Sequence, residues 1–242
     1  MDKSLNIIGG GMAGCEAAWQ AANMGVDVTL YEMRPKVKTF AHQTEKLGEM
    51  VCSNSFRSDD KEYNAVGVLH EELRIADSLI MKCDDNNKVP AGSALAVDRD
   101  NFSKKVNKTI KSIPNINIIN QEVRSLDEFK NQRVIVSTGP LTSKTLTESI
   151  KIKTSENSLS FYDAIAPIVY EETINMSVAW KQSRYDKGNG DDYINCPLSK
   201  EEYYQFIEKI KKAPKMEFKD FEDTPFFAVS YTHLRAHETR WH

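Results

Sequence analysis

Leu5-Asn6-Ile7-Ile8-Gly9-Gly10-Gly11-Met12-Ala13-Gly14-Cys15-Glu16 is an apolar run that breaks into glycines and resumes with helix formers. That order reads as strand, tight turn, helix. Gly9, Gly11 and Gly14 form G-x-G-x-x-G, in which one glycine permits the turn, the second lets backbone approach a pyrophosphate, and the third lets the helix pack on the strand. The helix N-terminus then faces the phosphates. The helix is expected from Met12 to about Met24, with Gly25 as its left-handed stop, followed by a strand from Val26 to Tyr31 that ends in Glu32. Glu32 lies where a carboxylate accepts hydrogen bonds from an adenosine ribose and disfavours a phosphorylated one. Strand, glycine turn, helix, strand and terminal acid agree on a dinucleotide site. A motif this near the N-terminus is more typical of FAD-first flavoproteins than of NAD dehydrogenases, by analogy of fold.

The 242 residues are 40% hydrophobic and 28% charged, an ordinary globular composition for one large domain or two small ones. A net charge of -3 gives no electrostatic footprint for nucleic acid, so RNA binding would have to come from a local patch. No apolar stretch reaches membrane-spanning length, and residues 1 to 15 lack a signal peptide, so the expectation is a cytoplasmic protein. Cys15, Cys52, Cys83 and Cys196 are irregularly spaced, which argues against a zinc site or a disulfide framework. No metal is expected.

Residues 36 to 63 carry no sustained period, and long connections of that kind are usually functional or disordered. Within them, Cys52, Ser53, Asn54 and Ser55 place a thiol and donors on one short segment, suited to lining a cofactor ring; packing of a small buried residue is the alternative for Cys52. Val66, Leu69, Leu73, Ala76 and Ile80 are spaced for one apolar helix face and are expected in the core. Val89 to Gly92 is a turn, Ala94 to Val97 a short strand, and Phe102, Val106, Ile110 and Ile113 the stripe of a helix ending before Pro114. Ile116 to Ile119, with Val123 nearby, reads as a strand returning to the sheet, and Arg133 to Val136 as another strand. Ligands sit at the carboxyl ends of strands in a doubly wound sheet, so Thr138 and Gly139 are expected to flank the same nucleotide.

From Leu159 onward the texture changes, and a second unit is inferred. Ser199 with Glu202 makes a capping box for a helix expected to turn Tyr203, Phe206, Ile207 and Ile210 inward. Arg184, Tyr185 and Lys187 could bind phosphate or stack on a base. Val229 to Thr239 back-translates cleanly to a transposase-type sequencing adapter, so 229–242 is expected to be a non-native tail on a truncated reading frame, and His233 and His237 are not read as metal ligands. The fold class expected is α/β: a Rossmann-like FAD-binding domain with a doubly wound, mainly parallel sheet over 1–160, then the start of an α+β insertion domain over 161–228.

Gly9 to Gln20, Tyr31 to Pro35, Val51 to Ser58, Val89 to Gly92, Ala96 to Asp100, Ser137 to Ser143, Phe161 to Ala164, Ser183 to Gly188 and Asn195 to Pro197 together resemble the TrmFO family of folate- and FAD-dependent tRNA uracil-5 methyltransferases. The likeness runs in order from residue 5 to about 227. Cys15 stands where serine is expected. The resemblance implies FAD at Gly9, Gly10, Gly11, Met12, Ala13, Gly14, Glu32, Arg34, Ser53, Asn54, Ser55, Val123, Thr138 and Gly139. It also implies substrate contacts at Arg57, Arg99, Arg184, Tyr185 and Lys187, and a thiol beside the flavin at Cys52.

The chemistry that comes with the resemblance starts with a nucleophile adding to carbon 6 of a T-loop uridine in tRNA, so that carbon 5 attacks the methylene of methylenetetrahydrofolate. Reduced FAD then converts the exocyclic methylene to methyl, and NAD(P)H reloads the flavin. Cys52 could shape the flavin pocket or attack the uracil, since the family pattern offers another cysteine just after the position of Phe226 and Phe227. No membrane and no obligate protein partner are expected, and the recorded chain is expected to be inactive as it stands. A paralogue methylating a ribosomal RNA uridine, or a flavin-binding tRNA-modification subunit without methyl transfer, stays open.

Overall fold

The computed structural model describes residues 3–51, 53–155, 170–183 and 190–214. They fall into two compact units, within 1–159 and within 160–242. The first unit runs β1 (Ser4–Ile8), α1 (Met12–Asn23), β2 (Asp27–Glu32), β3 (Ser55–Ser58), α2 (Ala65–Ile75), α3 (Leu79–Asp85), β4 (Lys88–Val89), β5 (Ala94–Val97), α4 (Arg99–Lys111), β6 (Ile116–Asn120), β7 (Val134–Val136) and α5 (Lys144–Thr154). The second carries β8 (Trp180–Lys181), β9 (Ile194–Asn195) and α6 (Lys200–Lys212).

The main sheet is parallel with order β6-β2-β1-β7, as the expected α/β class requires. Period-2 alternation decides which layer each residue of β1 serves. Ile7 joins Cys15, Ala18, Leu30, Phe102, Val106 and Ile110 on one face, while Ile8 joins Val123, Phe129 and Leu146 on the other. Both faces are therefore covered, as parallel sheets require. α1 ends where Gly25, at φ +75, turns the chain and Val26 N–H returns to the carbonyl of Ala21. α4 buries Phe102, Val106 and Ile110, the stripe read from sequence, and Asp98 caps it by accepting from Asn101 N–H.

Between β2 and β6 the chain makes an excursion that periodicity alone did not reveal: a three-stranded antiparallel sheet of order β3-β5-β4. β3 lies inside the stretch expected to be a structureless connection. Its four residues are interrupted by a bulge with Arg57 at φ +71, too short and irregular to show a period. Phe56 packs against Phe102, with ring centroids 5.9 Å apart, joining this small sheet to the core of the large one.

Two expected helix faces are corrected. Val66, Leu69, Leu73, Ala76 and Ile80 do not share one helix: the chain breaks between α2 and α3, with Asp77 at φ +61 and Ser78 capping the second helix. Leu69 and Ala76 are exposed, whereas Gly67 and His70 are buried. The cause is polar, because His70 pairs with Asp59 at 3.1 Å and Gly67 sits against the backbone of Asp60, which turns α2 by those residues and not by its leucines. Ser78 Oγ donates to Glu16, fixing the new helix start to α1. In the second unit, α6 has the expected Ser199–Glu202 capping box, yet Tyr203, Phe206 and Ile210 are exposed and Ile207 is only half-buried. Helical spacing reports an amphipathic face and not what covers it.

Phe102→Ala is expected to cost about 3–5 kcal/mol, because it empties a fully buried ring site shared by both sheets. Urea unfolding of the two proteins checks it; a cost below about 1 kcal/mol would remove Phe102 from that role.

Candidate functional site

The glycine loop divides its labour as the motif's steric logic anticipates. Gly9 sits at φ +106, where a side chain is strained, and an added Cβ would lie 2.7 Å from the carbonyl oxygen of Ser137. At Gly14 a Cβ would meet the carbonyl oxygen of Gly9 at 1.8 Å, so only glycine lets α1 press against the turn it leaves. Gly11 differs from both: an added Cβ meets nothing within 4 Å. Its face is open. α1 begins with no side-chain cap, so the first backbone N–H groups are available to an anion.

The open face borders a cavity lined by Ile8, Gly9, Gly10, Gly11 and Tyr31 from the first βαβ unit, Glu32 and Arg34 at the end of β2, and Thr39 and His42 from the following loop. Val123, Thr138, Thr142 and Leu146 are also among its lining residues. Seven of the sequence-derived candidates, Gly9, Gly10, Gly11, Glu32, Arg34, Val123 and Thr138, thus converge on one cavity. Gly139 follows Thr138 at φ +59 and is not part of the wall. Cys15 is fully buried one turn into α1, where its Sγ–H donates to the carbonyl of Gly10, and burial followed by the charge of Glu32 pushes its thiol up to about 12. It packs; it does not react.

Glu32 and Arg34 form a buried ion pair. Arg34 Nε donates to Oε1 at 2.9 Å and Nη2 to Oε2 at 3.1 Å, while Arg34 N–H also reaches Oε1 and Gly10 N–H reaches Oε2, each at 2.9 Å. Burial alone would raise the Glu32 carboxyl, but the hydrogen bonds and charge of Arg34 outweigh it and hold the group below the ordinary value. Arg34 extends the network by donating to Glu49 at 3.2 Å and to the carbonyl of Thr44. Glu49 accepts in turn from Gln43 N–H, Thr44 N–H and Thr44 Oγ1. One charge chain therefore shapes the loop that closes the cavity.

The remaining candidates lie elsewhere. Ser53, Asn54 and Ser55 are not in the cavity wall, and their side chains bond to nearby backbone: Ser53 Oγ accepts from Ser55 N–H, Asn54 Nδ2 donates to Val97 O, and Ser55 Oγ accepts from Arg57 N–H. They shape the bulged end of the small sheet. Arg57 is exposed there, and Arg99 opens α4 with a buried Nε that lacks a hydrogen-bond partner. Met12 and Ala13 begin α1 without entering the wall. Cys52, Arg184, Tyr185, Lys187 and the 229–242 tail lie outside the described residues. Sequence reasoning missed Thr39, His42 and Glu49 as parts of one site, because no period or motif marks the loop that carries them.

Among the described residues no helix is long and apolar enough to cross a membrane. The family model described as glucose inhibited division protein A matches residues 4–239. A relative from Bartonella henselae is 56% identical over 227 residues, covering 92% of this chain and 48% of the relative; its name is methylenetetrahydrofolate–tRNA-(uracil-5-)-methyltransferase TrmFO. A Ruegeria relative of the same name is 54% identical over 231 residues, covering 94% of this chain and 51% of its own. The chain thus spans about half the length of the curated relatives it matches. A solved structure of Aquifex aeolicus GidA aligns with 50% of this chain and 20% of its own, at 21% identity and a TM-score of 0.41.

Glu32→Ala strips a buried guanidinium of its principal partner and leaves it Glu49 and the carbonyl of Thr44, so it is expected to destabilise the protein by about 3 kcal/mol at neutral pH. Because the folded-state pKa is depressed, that contribution is present in full above the ordinary carboxylate value of 4.5 and is lost as pH falls through the lower folded-state value. Denaturant titrations of both proteins at neutral and acid pH check this; a gap that widens in acid contradicts the assignment.

Proposed function

The chain belongs to the glucose inhibited division protein A family, and on that footing we propose that its first unit binds FAD within a folate- and FAD-dependent tRNA uracil-5 methyltransferase. The observation that carries the reading is the glycine loop, in which Gly9 and Gly14 are filled by protein and Gly11 opens onto the cavity. The names of the curated relatives support the activity.

The residues fit an adenine dinucleotide by their chemistry. Backbone N–H groups at the start of α1 and the bare face of Gly11 suit a pyrophosphate, Thr138 supplies a hydroxyl at the second strand end, and Ile8, Val123 and Leu146 give an apolar wall for a base. When bound, FAD supplies the hydride that carbon at the formaldehyde oxidation level needs to become a methyl group. Methylenetetrahydrofolate and NAD(P)H are the co-substrates of this reading, and tRNA in the cytoplasm its target. Cys52 belongs with the flavin ring, flanked in sequence by Ser53, Asn54 and Ser55. Arg57, Arg99, Arg184, Tyr185 and Lys187 are assigned to substrate anions and bases.

Two glycine variants separate ligand binding from folding. A Cβ added at Gly11 meets no protein atom within 4 Å, so in Gly11→Val the fold is expected to survive within about 1 kcal/mol while flavin absorbance is lost from the purified full-length protein. Gly14→Ala meets the Gly9 carbonyl and is expected to destabilise the fold by more than about 4 kcal/mol. Stoichiometric FAD in Gly11→Val would sink the assignment.

The activity is tested by incubating the full-length protein with methylenetetrahydrofolate, NADPH and either unmodified tRNA or ribosomal RNA, and assaying 5-methyluridine. Methylation of tRNA alone is expected, and product on ribosomal RNA alone would overturn the substrate. In Cys52→Ala, methylation is expected to fall with a disturbed flavin spectrum, while a 5-fluorouridine RNA still forms a covalent complex, since fluorine blocks the elimination that releases the enzyme. Lost trapping with normal FAD content would instead make Cys52 the nucleophile.

A further inference from the structure

α3 buries Leu79, Met81, Cys83 and Asp84 where it packs against α1, α2, α4 and β5. Asp84 is fully buried, and neither of its carboxylate oxygens has a hydrogen-bond partner among the described residues. An ionised carboxylate in that position is costly, because a buried charge needs donors or a counter-charge.

The cations beside it are already engaged. Arg74 Nη2 donates to Asp59 Oδ1 at 2.8 Å and to Asp85 Oδ1 at 2.9 Å, while Lys88 Nζ donates to Asp59 Oδ2 at 2.9 Å and pairs with Asp85 at 3.0 Å. His70 of α2 also turns its Nδ1 to Asp59, and Glu71 adds an anion 3.8 Å from Arg74. From the other sides, Glu16 of α1 and Lys105 of α4 act on the neighbouring Cys83, and Ala94–Val97 of β5 bring no titratable side chain. A charge on Asp84 is therefore a surplus anion. Burial first, then the charge of Asp85, push its carboxyl up to about 8.

The segment is tied at both ends. Glu16 accepts from Ser78 Oγ at 2.8 Å and from Ile80 N–H at 3.0 Å, which holds the start of α3 on the helix that leaves the glycine loop. Past its end, Asn87 N–H donates to the carbonyl of Asp84, and the carbonyl of Asn87 accepts from the N–H of Asp98, the cap of α4. We propose that Asp84 keeps its proton in the folded protein and makes α3 a proton-linked latch, closed on α1, α2 and α4 while the proton is held and released when it is lost. A carboxyl raised above its ordinary value of 3.8 binds its proton more tightly in the closed state than in the opened one. The closed state therefore weakens as pH rises from about 4 to about 8, and levels off above that.

The test is hydrogen exchange of the amides of residues 79–98 in the full-length protein, corrected for the intrinsic pH dependence of exchange, in wild type and Asp84→Asn. Protection of the wild type relative to the variant is expected to fall about tenfold per pH unit between about pH 5 and about pH 7, the mark of one proton, and to level off near pH 8. Asp84→Leu, which cannot ionise either, serves as the reference if Asp84→Asn does not fold. Parallel pH profiles in wild type and variant overturn the proposal. So does failure of both neutral variants to fold, since a site that holds a neutral acid accommodates a neutral side chain of similar size.

Discussion

The closeness of α1 to the turn that launches it is the constraint on which the first unit depends. An added Cβ at Gly14 would lie 1.8 Å from the Gly9 carbonyl, a distance no rotamer relieves because both partners are backbone. With the helix that close, Cys15 and Ala18 bury completely against the sheet, and the N-terminus of α1 ends up beside the carboxyl ends of β1 and β7. Ser137 seals the junction by donating from N–H and Oγ to the carbonyl of Ile8. Close approach is thus both the packing rule and the reason a phosphate-sized anion can meet backbone donors.

The second determinant is electrostatic. Glu32 would be costly to bury alone, and Arg34 likewise, so the pair is tolerable only because nearly every donor and acceptor is used. The network reaches Gly10 on the glycine loop and Thr44 and Glu49 on the following loop. A segment without helix or strand is therefore held beside the cavity by ions and hydrogen bonds. Among the described residues, Leu47 and Met50 anchor it to the apolar core.

The parts of this design that were legible in the sequence are those set by spacing. Three glycines, a helix stopped by Gly25 and a strand ending in an acid gave β1, α1 and β2 almost residue by residue, and the Phe102 stripe gave α4. What escaped had no period to read, or one that tertiary contacts overrode. β3 is four residues with a bulge, and α2 is oriented by His70 with Asp59 and by Gly67 with Asp60, contacts between a helix and a loop that no apolar pattern reports. The Thr39–His42 and Glu49 contacts are also loop contacts. The acid at position 32 was legible as part of the site, but its saturation was not, because its partner lies only two residues on and reads as an ordinary surface arginine.

That saturation changes how the motif is understood. A strand-terminal acid in a βαβ unit is usually read as a ligand group, yet here its oxygens serve the protein before any ligand arrives. Placing the charge in the scaffold fixes the loop that borders the cavity. The charge is desolvated once, when the protein folds, and not each time a ligand binds.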